Sequence, residues 1–261
     1  MLEIKNLSKT FNPGTPLENK VISNLSLTVE KSDFITLLGS NGAGKSTLIN
    51  LICGNILEDD GDIFLDDDDF VSKKAHERAL VLGRVHQNPN LSVSPNMTLL
   101  ENLSLADAKG QGFSLRRAIH KNRIKDYKET LSPLGLGLED QLHTKIGLLS
   151  GGQRQAVALY MAVMKKPKLL LLDEHTAALD PRTSVIIMDV TKKLIEENKI
   201  TTLMVTHNMS QALDYGNRLL MMHEGKLVED LRSFEKSNLN TEKLITMFKE
   251  NTGSLEDKMV L

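Results

Sequence analysis

The chain has 261 residues, 40% apolar and 25% charged, an ordinary globular composition that excludes a disordered or low-complexity protein. Its 32 basic residues stand against 34 acidic ones, and a net charge of −2 provides no global field toward nucleic acid or an anionic membrane, so no nucleic-acid partner is expected. The single cysteine, Cys53, excludes an internal disulfide, and its neighbours Leu51 and Ile52 make it a core thiol.

The start, Met1-Leu-Glu-Ile4, lacks the basic and apolar regions of a secretory signal. Leu2 to Ile4, Leu25 to Val29 and Asp62 to Leu65 alternate or run apolar between turn residues and predict antiparallel strands. Ile35 to Gly39 predicts a buried strand. It runs into Gly39-Ser40-Asn41-Gly42-Ala43-Gly44-Lys45-Ser46-Thr47, which completes the G-x-x-x-x-G-K-[ST] pattern, and Leu48, Ile49, Leu51 and Ile52 continue as a helix. In such a strand, loop and helix, backbone amides curl around a nucleotide phosphate. Lys45 sets a charge at the β and γ oxygens, and Ser46 offers a hydroxyl to Mg²⁺.

The acidic stretch Glu58 to Asp69 lacks calcium-loop spacing and predicts a solvated turn. From about residue 90 to 147 the apolar period is helical, opening at Thr98 with Glu101 three residues on as a capping box. This predicts an inserted helical subdomain. Within it, Arg116 to Lys125 is basic, with Leu115, Ile119 and Ile124 spaced as the apolar stripe of a solvated helix. Leu149-Ser150-Gly151-Gly152-Gln153 precedes the apolar run Ala156 to Met164, placing Ser150 and the glycine amides at a helix N-terminus able to bind an anion. That run is far short of the roughly 18 to 20 residues of a membrane span.

Lys168 to Asp173 and Thr201 to Thr206 predict buried parallel strands. Between them Asp180-Pro181 caps a helix carrying Ile187, Val190 and Leu194, which makes an α/β crossover. The first of these strands delivers Asp173 and Glu174. Because successive strand residues point opposite ways, the two carboxylates have different tasks, Asp173 toward Mg²⁺ and Glu174 toward the proton of the water attacking the γ-phosphate. Glu224-Gly225-Lys226 reads as a turn, Thr241 to Lys249 as an amphipathic helix, and the residues beyond it as a polar tail.

A phosphate loop, then Leu149 to Gln153, then an Asp-Glu strand resembles the ABC ATPase family from about residue 2 to 230. The resemblance implies an α/β P-loop core with an N-terminal antiparallel β-subdomain and an inserted helical subdomain, residues 1–230, followed by a C-terminal helix and tail, 231–261. Gln87 resembles that family's Q-loop, Ala178 to Asp180 its D-loop and His207 its H-loop. By this likeness Gln87 senses Mg²⁺ and the attacking water, His207 holds the γ-phosphate and Glu174, and Phe11 stacks on adenine. Taken alone, Gln87 reads as a turn residue, His207 as a capped strand end, Asp180 as a helix N-cap and Phe11 as a core ring. Where many relatives have Asp-Glu-Pro-Thr, this chain has Asp173-Glu-His-Thr176, and His175 reads as a solvated loop residue.

The implied activity is ATP hydrolysis with ATP and Mg²⁺ as cofactors, catalysed by Lys45, Gln87, Glu174 and His207. Two copies, or one copy and a second ATPase subunit, pair head to tail. Each ATP then lies between Gly39–Thr47 of one chain and Ser150–Gln153 with Asp180 of the other. The other implied partners are separate transmembrane permease subunits and an extracytoplasmic substrate-binding protein, with the ATPase on the cytoplasmic face of the membrane. The segments around Gln87, Glu174 and His207 are similar to an importer branch that carries amino acids. The alternative is a soluble ABC ATPase in an assembly such as iron–sulfur biogenesis; a P-loop kinase leaves Leu149 to Gln153 unexplained.

Overall fold

A computed structural model describes residues 1–111, 119 and 123–252. Most of the basic stretch from Arg116, with Leu115, lies outside the described residues, as does the tail beyond 252. The chain forms two compact units, Met1–Leu82 with Lys199 onward, and Gly83–Asn198.

In chain order the first unit begins with β1 (Leu2–Phe11), β2 (Asn19–Val29), β3 (Phe34–Gly39), α1 (Lys45–Cys53), β4 (Asp60–Leu65), β5 (Asp68–Asp69) and α2 (Ala75–Ala79). The second unit carries β6 (Leu82–Val85), α3 (Leu99–Asp107), α4 (Arg123–Leu131), α5 (Gly151–Val163), β7 (Leu169–Asp173) and α6 (Pro181–Asn198). The chain returns to the first unit as β8 (Thr201–Thr206), α7 (Met209–Asp214), β9 (Arg218–His223), β10 (Lys226–Arg232), α8 (Ser233–Ser237) and α9 (Thr241–Thr252).

In the first unit β2, β1, β4 and β5 form an antiparallel sheet in that order. Leu2 and Ile4 face Val29 and Leu27 on one side and Leu65 and Ile63 on the other, and all six are buried, as period-two alternation requires. The acidic hairpin between β4 and β5 turns on Asp66 and Asp67, both at positive φ (51° and 68°), the backbone a tight two-residue turn needs. A second sheet runs β10, β9, β3, β8, with β3 parallel to both its neighbours. Every residue of β3 and β8 is buried, which explains their unbroken apolar character. Leu244 and Phe248 of α9 join Leu38, Met209, Leu219 and Met221 in a single cluster, so the C-terminal helix is core material of this unit.

In the second unit the capping box at Thr98 is formed. The Thr98 amide donates to Glu101 Oε2 at 2.7 Å, and the Glu101 amide donates to Thr98 Oγ1 at 3.2 Å. β6 and β7 are neighbouring strands. A Cβ on Gly83 of β6 would stand 2.7 Å from the Ala162 carbonyl oxygen, so glycine there permits close approach to α5. Asp107 at the end of α3 gathers Lys165 at 2.7 Å, Arg123 at 3.1 Å and the Tyr127 hydroxyl at 3.1 Å, tying α3 and α4 to the segment that follows α5. Among the described residues no helix is long and apolar enough to cross a membrane.

Candidate functional site

The buried strand β3 delivers the phosphate loop to its own C-terminal end. Gly44 occupies a left-handed conformation (φ 102°), and the Leu48 amide donates to its carbonyl at 2.9 Å, so α1 starts on the loop itself. Lys45 is buried, and its ammonium donates to the carbonyls of Gly39 at 2.7 Å and Ser40 at 2.9 Å. A cation is thus held at a helix N-terminus, where the backbone already favours an anion. Asn41, Gly42 and Ser46 are exposed; Ser40 and Thr47 are half-buried and Ala43 is buried.

The loop is braced by contacts with distant segments that the sequence does not reveal. A Cβ on Gly39 would meet the Met222 carbonyl oxygen of β9 at 2.5 Å. In the turn joining β9 and β10, Gly225 (φ 76°) donates its amide to the Ala43 carbonyl at 3.0 Å and accepts from the Ser23 amide at 3.1 Å. The β8 register pairs Thr206 with Leu38, which puts His207 at the same strand end as the phosphate loop. Asn208 then caps α7, its side chain accepting from the Gln211 amide at 2.9 Å. Phe11 closes β1 half-buried rather than in the core, with the Lys9 ammonium 5.8 Å from its ring centroid.

The second unit gathers the remaining candidates. Asp173 ends β7, and Arg84 of β6 forms an ion pair with it at 3.6 Å. Sequence reasoning missed Arg84, although a charged residue within Leu82-Gly-Arg-Val85, three positions before Gln87, was a signal. Glu174 lies beyond the strand in the left-handed region (φ 46°), so it diverges from Asp173 through a turn and not through strand alternation as expected. The turn closes with the Ala177 amide donating to the Glu174 carbonyl at 3.0 Å.

The expectation for His175 was wrong. It is 2% exposed, its Nε2 lies 3.0 Å from Thr191 Oγ1 on α6, and burial pushes its pKa down to about 4. Burial disfavours the charged imidazole, and the Thr191 hydroxyl satisfies the buried ring nitrogen. Gln87 is exposed at the end of β6, and burial lowers the pKa of the adjacent His86. Asp180 caps α6, its Oδ1 accepting from the Thr183 amide at 3.0 Å, and the Thr183 hydrogen bonds hold its carboxyl below the usual range.

At the head of α5 Ser150 and Gln153 form a reciprocal capping box, at 3.0 Å from the Ser150 amide and 3.2 Å from the Gln153 amide. The Ser150 hydroxyl accepts there and keeps its own proton to donate. A Cβ on Gly152 would overlap Thr183 of α6, whereas one on Gly151 would meet only Leu179 at an ordinary 3.4 Å, so Gly152 serves helix packing as well as any ligand. The oxygens of Ser46 and Asp173 are hard donors. Among the described residues no group of three or more His, Cys, Asp or Glu side chains could cage a metal. Ser46 and Asp173, each taken by itself, offer a donor of the kind Mg²⁺ accepts, since that ion takes one or two protein oxygens and completes its shell with phosphate and water.

The sequence pattern of the ABC transporter family matches residues 22–177. The chain belongs to the ABC transporter ATP-binding family. This ABC ATPase is 46% identical over 250 residues to the tyrosine transport ATP-binding protein of Clostridioides difficile (strain R20291), spanning 95% of this chain and 98% of the relative. It is 32% identical to a phosphonates import ATP-binding protein of Oceanobacillus iheyensis, covering 88% and 89% of the two chains. Among solved structures it resembles a dimeric ATP-binding cassette in a post-hydrolysis state bound to ADP and Pi, with a TM-score of 0.74 and 29% identity over 89% of this chain and 99% of that one. A second cassette, in its ADP conformation, matches with a TM-score of 0.77 and 27% identity over 95% and 98% of the chains. The activity of this ABC ATPase is therefore ATP hydrolysis, and the kinase reading falls with it.

Proposed function

We propose that this ABC ATPase powers import of a small solute, an amino acid of the aromatic class, by hydrolysing ATP as a dimer at the cytoplasmic face of a membrane. The observation that carries the import reading is the 46% identity to a tyrosine transport ATP-binding protein along 98% of that protein's length. In this reading Gly39 to Thr47 wraps the phosphates of one ATP, and Ser150 to Gln153 with Asp180 of a second chain covers the same nucleotide. Phe11 stacks on the adenine. Ser46, Asp173 and Gln87 hold Mg²⁺, which when bound neutralises phosphate charge.

Glu174 accepts the proton of the attacking water, His207 orients the γ-phosphate, and Lys45 stabilises the charge that develops on its oxygens. Gln87 joins this chemistry to separate transmembrane permease subunits, which receive cargo from an extracytoplasmic binding protein. Purification from the native membrane tests the proposal. The expected result is a co-purifying permease that, in lipid vesicles, takes up tyrosine only with ATP and stimulates hydrolysis. An ATPase rate indifferent to every membrane protein that accompanies it would contradict import.

A further inference from the structure

Glu174 is the one site carboxylate held at positive φ (46°), a conformation that a non-glycine residue keeps only where its surroundings impose it. The next residue supplies an anchor. His175 is buried, and its Nε2 meets Thr191 Oγ1 at 3.0 Å, while the Thr191 hydroxyl donates to the Ile187 carbonyl at 2.7 Å. Because that hydroxyl's only proton goes to Ile187, Thr191 accepts, and the imidazole is the Nε2–H tautomer donating to it. The relay of His175, Thr191 and Ile187 thus fastens the residue after Glu174 to the second and third turns of α6, within one compact unit.

The geometry points to a positioning role: His175, bonded to Thr191, holds Glu174 in its left-handed conformation and so aims the carboxylate at the attacking water. This rests on Glu174 being the proton acceptor. The histidine is a positioning residue that acts through Glu174.

The test uses full-length Thr191→Val, which keeps side-chain shape and removes the acceptor, with Thr191→Ser, His175→Ala and Glu174→Gln in parallel. ATP affinity, KM, kcat and thermal melting are measured for each. Thr191→Val and His175→Ala are expected to lower kcat about tenfold, since sub-ångström misplacement of a catalytic group is felt at that scale. KM and ATP affinity stay within about twofold of the unaltered protein, and Thr191→Ser recovers most of kcat. Wild-type kcat in Thr191→Val overturns the proposal. So does a Thr191→Ser variant as slow as Thr191→Val, or a loss of kcat that only tracks loss of folded protein. If Glu174→Gln is inactive while Thr191→Val is unimpaired, the positioning claim alone fails. If Glu174→Gln turns over normally, the proton-acceptor reading fails first.

Discussion

Replacing Gly225 by alanine separates backbone strain from steric collision beside the phosphate loop. Gly225 and Gly14 sit at nearly the same φ, 76° and 73°, but a Cβ at Gly14 meets nothing within 4 Å. At Gly225 it would overlap the Val21 carbonyl oxygen and stand 2.9 Å from the Val21 carbonyl carbon and 3.0 Å from Ile22 Cα. Gly14→Ala therefore costs only the left-handed conformation, about 1 kcal/mol. Gly225→Ala adds an overpacking cost of about 1–3 kcal/mol against rigid backbone, for a total of about 2–4 kcal/mol.

The damage reaches the nucleotide because Gly225 bonds Ala43 in the loop, so ATP affinity falls in Gly225→Ala and holds in Gly14→Ala. Urea unfolding of both variants, with binding of a fluorescent ATP analogue, measures the difference. Equal destabilisation, or unchanged ATP affinity in Gly225→Ala, would refute the bracing argument.

Phe248→Ala should cost about 3–5 kcal/mol in urea unfolding, because its ring is buried in the cluster with Leu38 and Met221; a cost near zero would show α9 to be dispensable to that core. Arg218 grips both oxygens of Asp230, at 2.7 Å and 2.6 Å, and holds that carboxyl below its usual range. A depressed carboxylate stabilises the fold above its unfolded pKa of about 3.9 and loses that contribution as pH falls through the lower folded value. Asp230→Asn should therefore be less stable at neutral pH by about 1–2 kcal/mol, discounted for the carboxylate's partial exposure, and converge on the unaltered protein in acid. A difference independent of pH would break the linkage.

Much of the scaffold was legible because local pattern and fold agree. Alternation at Leu2 and Ile4, the unbroken run of β3, the capping box at Thr98, the helix start at Ser150 and the Asp180-Pro181 helix start each depend on neighbours a few residues away. The strand, loop and helix around Gly39 to Thr47 were legible for the same reason, as their pattern is contiguous. What escaped depends on approaches between distant segments. Gly225 must be glycine because a Cβ there would run into the carbonyl of Val21, some two hundred positions away. Arg84 acquires meaning only when β6 lies beside β7, and His175 only when α6 presents Thr191. Glu174 was assigned the right neighbour but the wrong backbone, since nothing local announces a left-handed glutamate.

The most direct test of the account mixes two disabled chains. Lys45→Ala cripples the phosphate loop, and Ser150→Arg cripples the head of α5; each alone should be inactive. If each ATP is shared between the loop of one copy and Ser150 of another, a mixed dimer contains one intact site, and the mixture hydrolyses ATP. A mixture as silent as its two components, with hybrid dimers demonstrably present, would contradict the shared site.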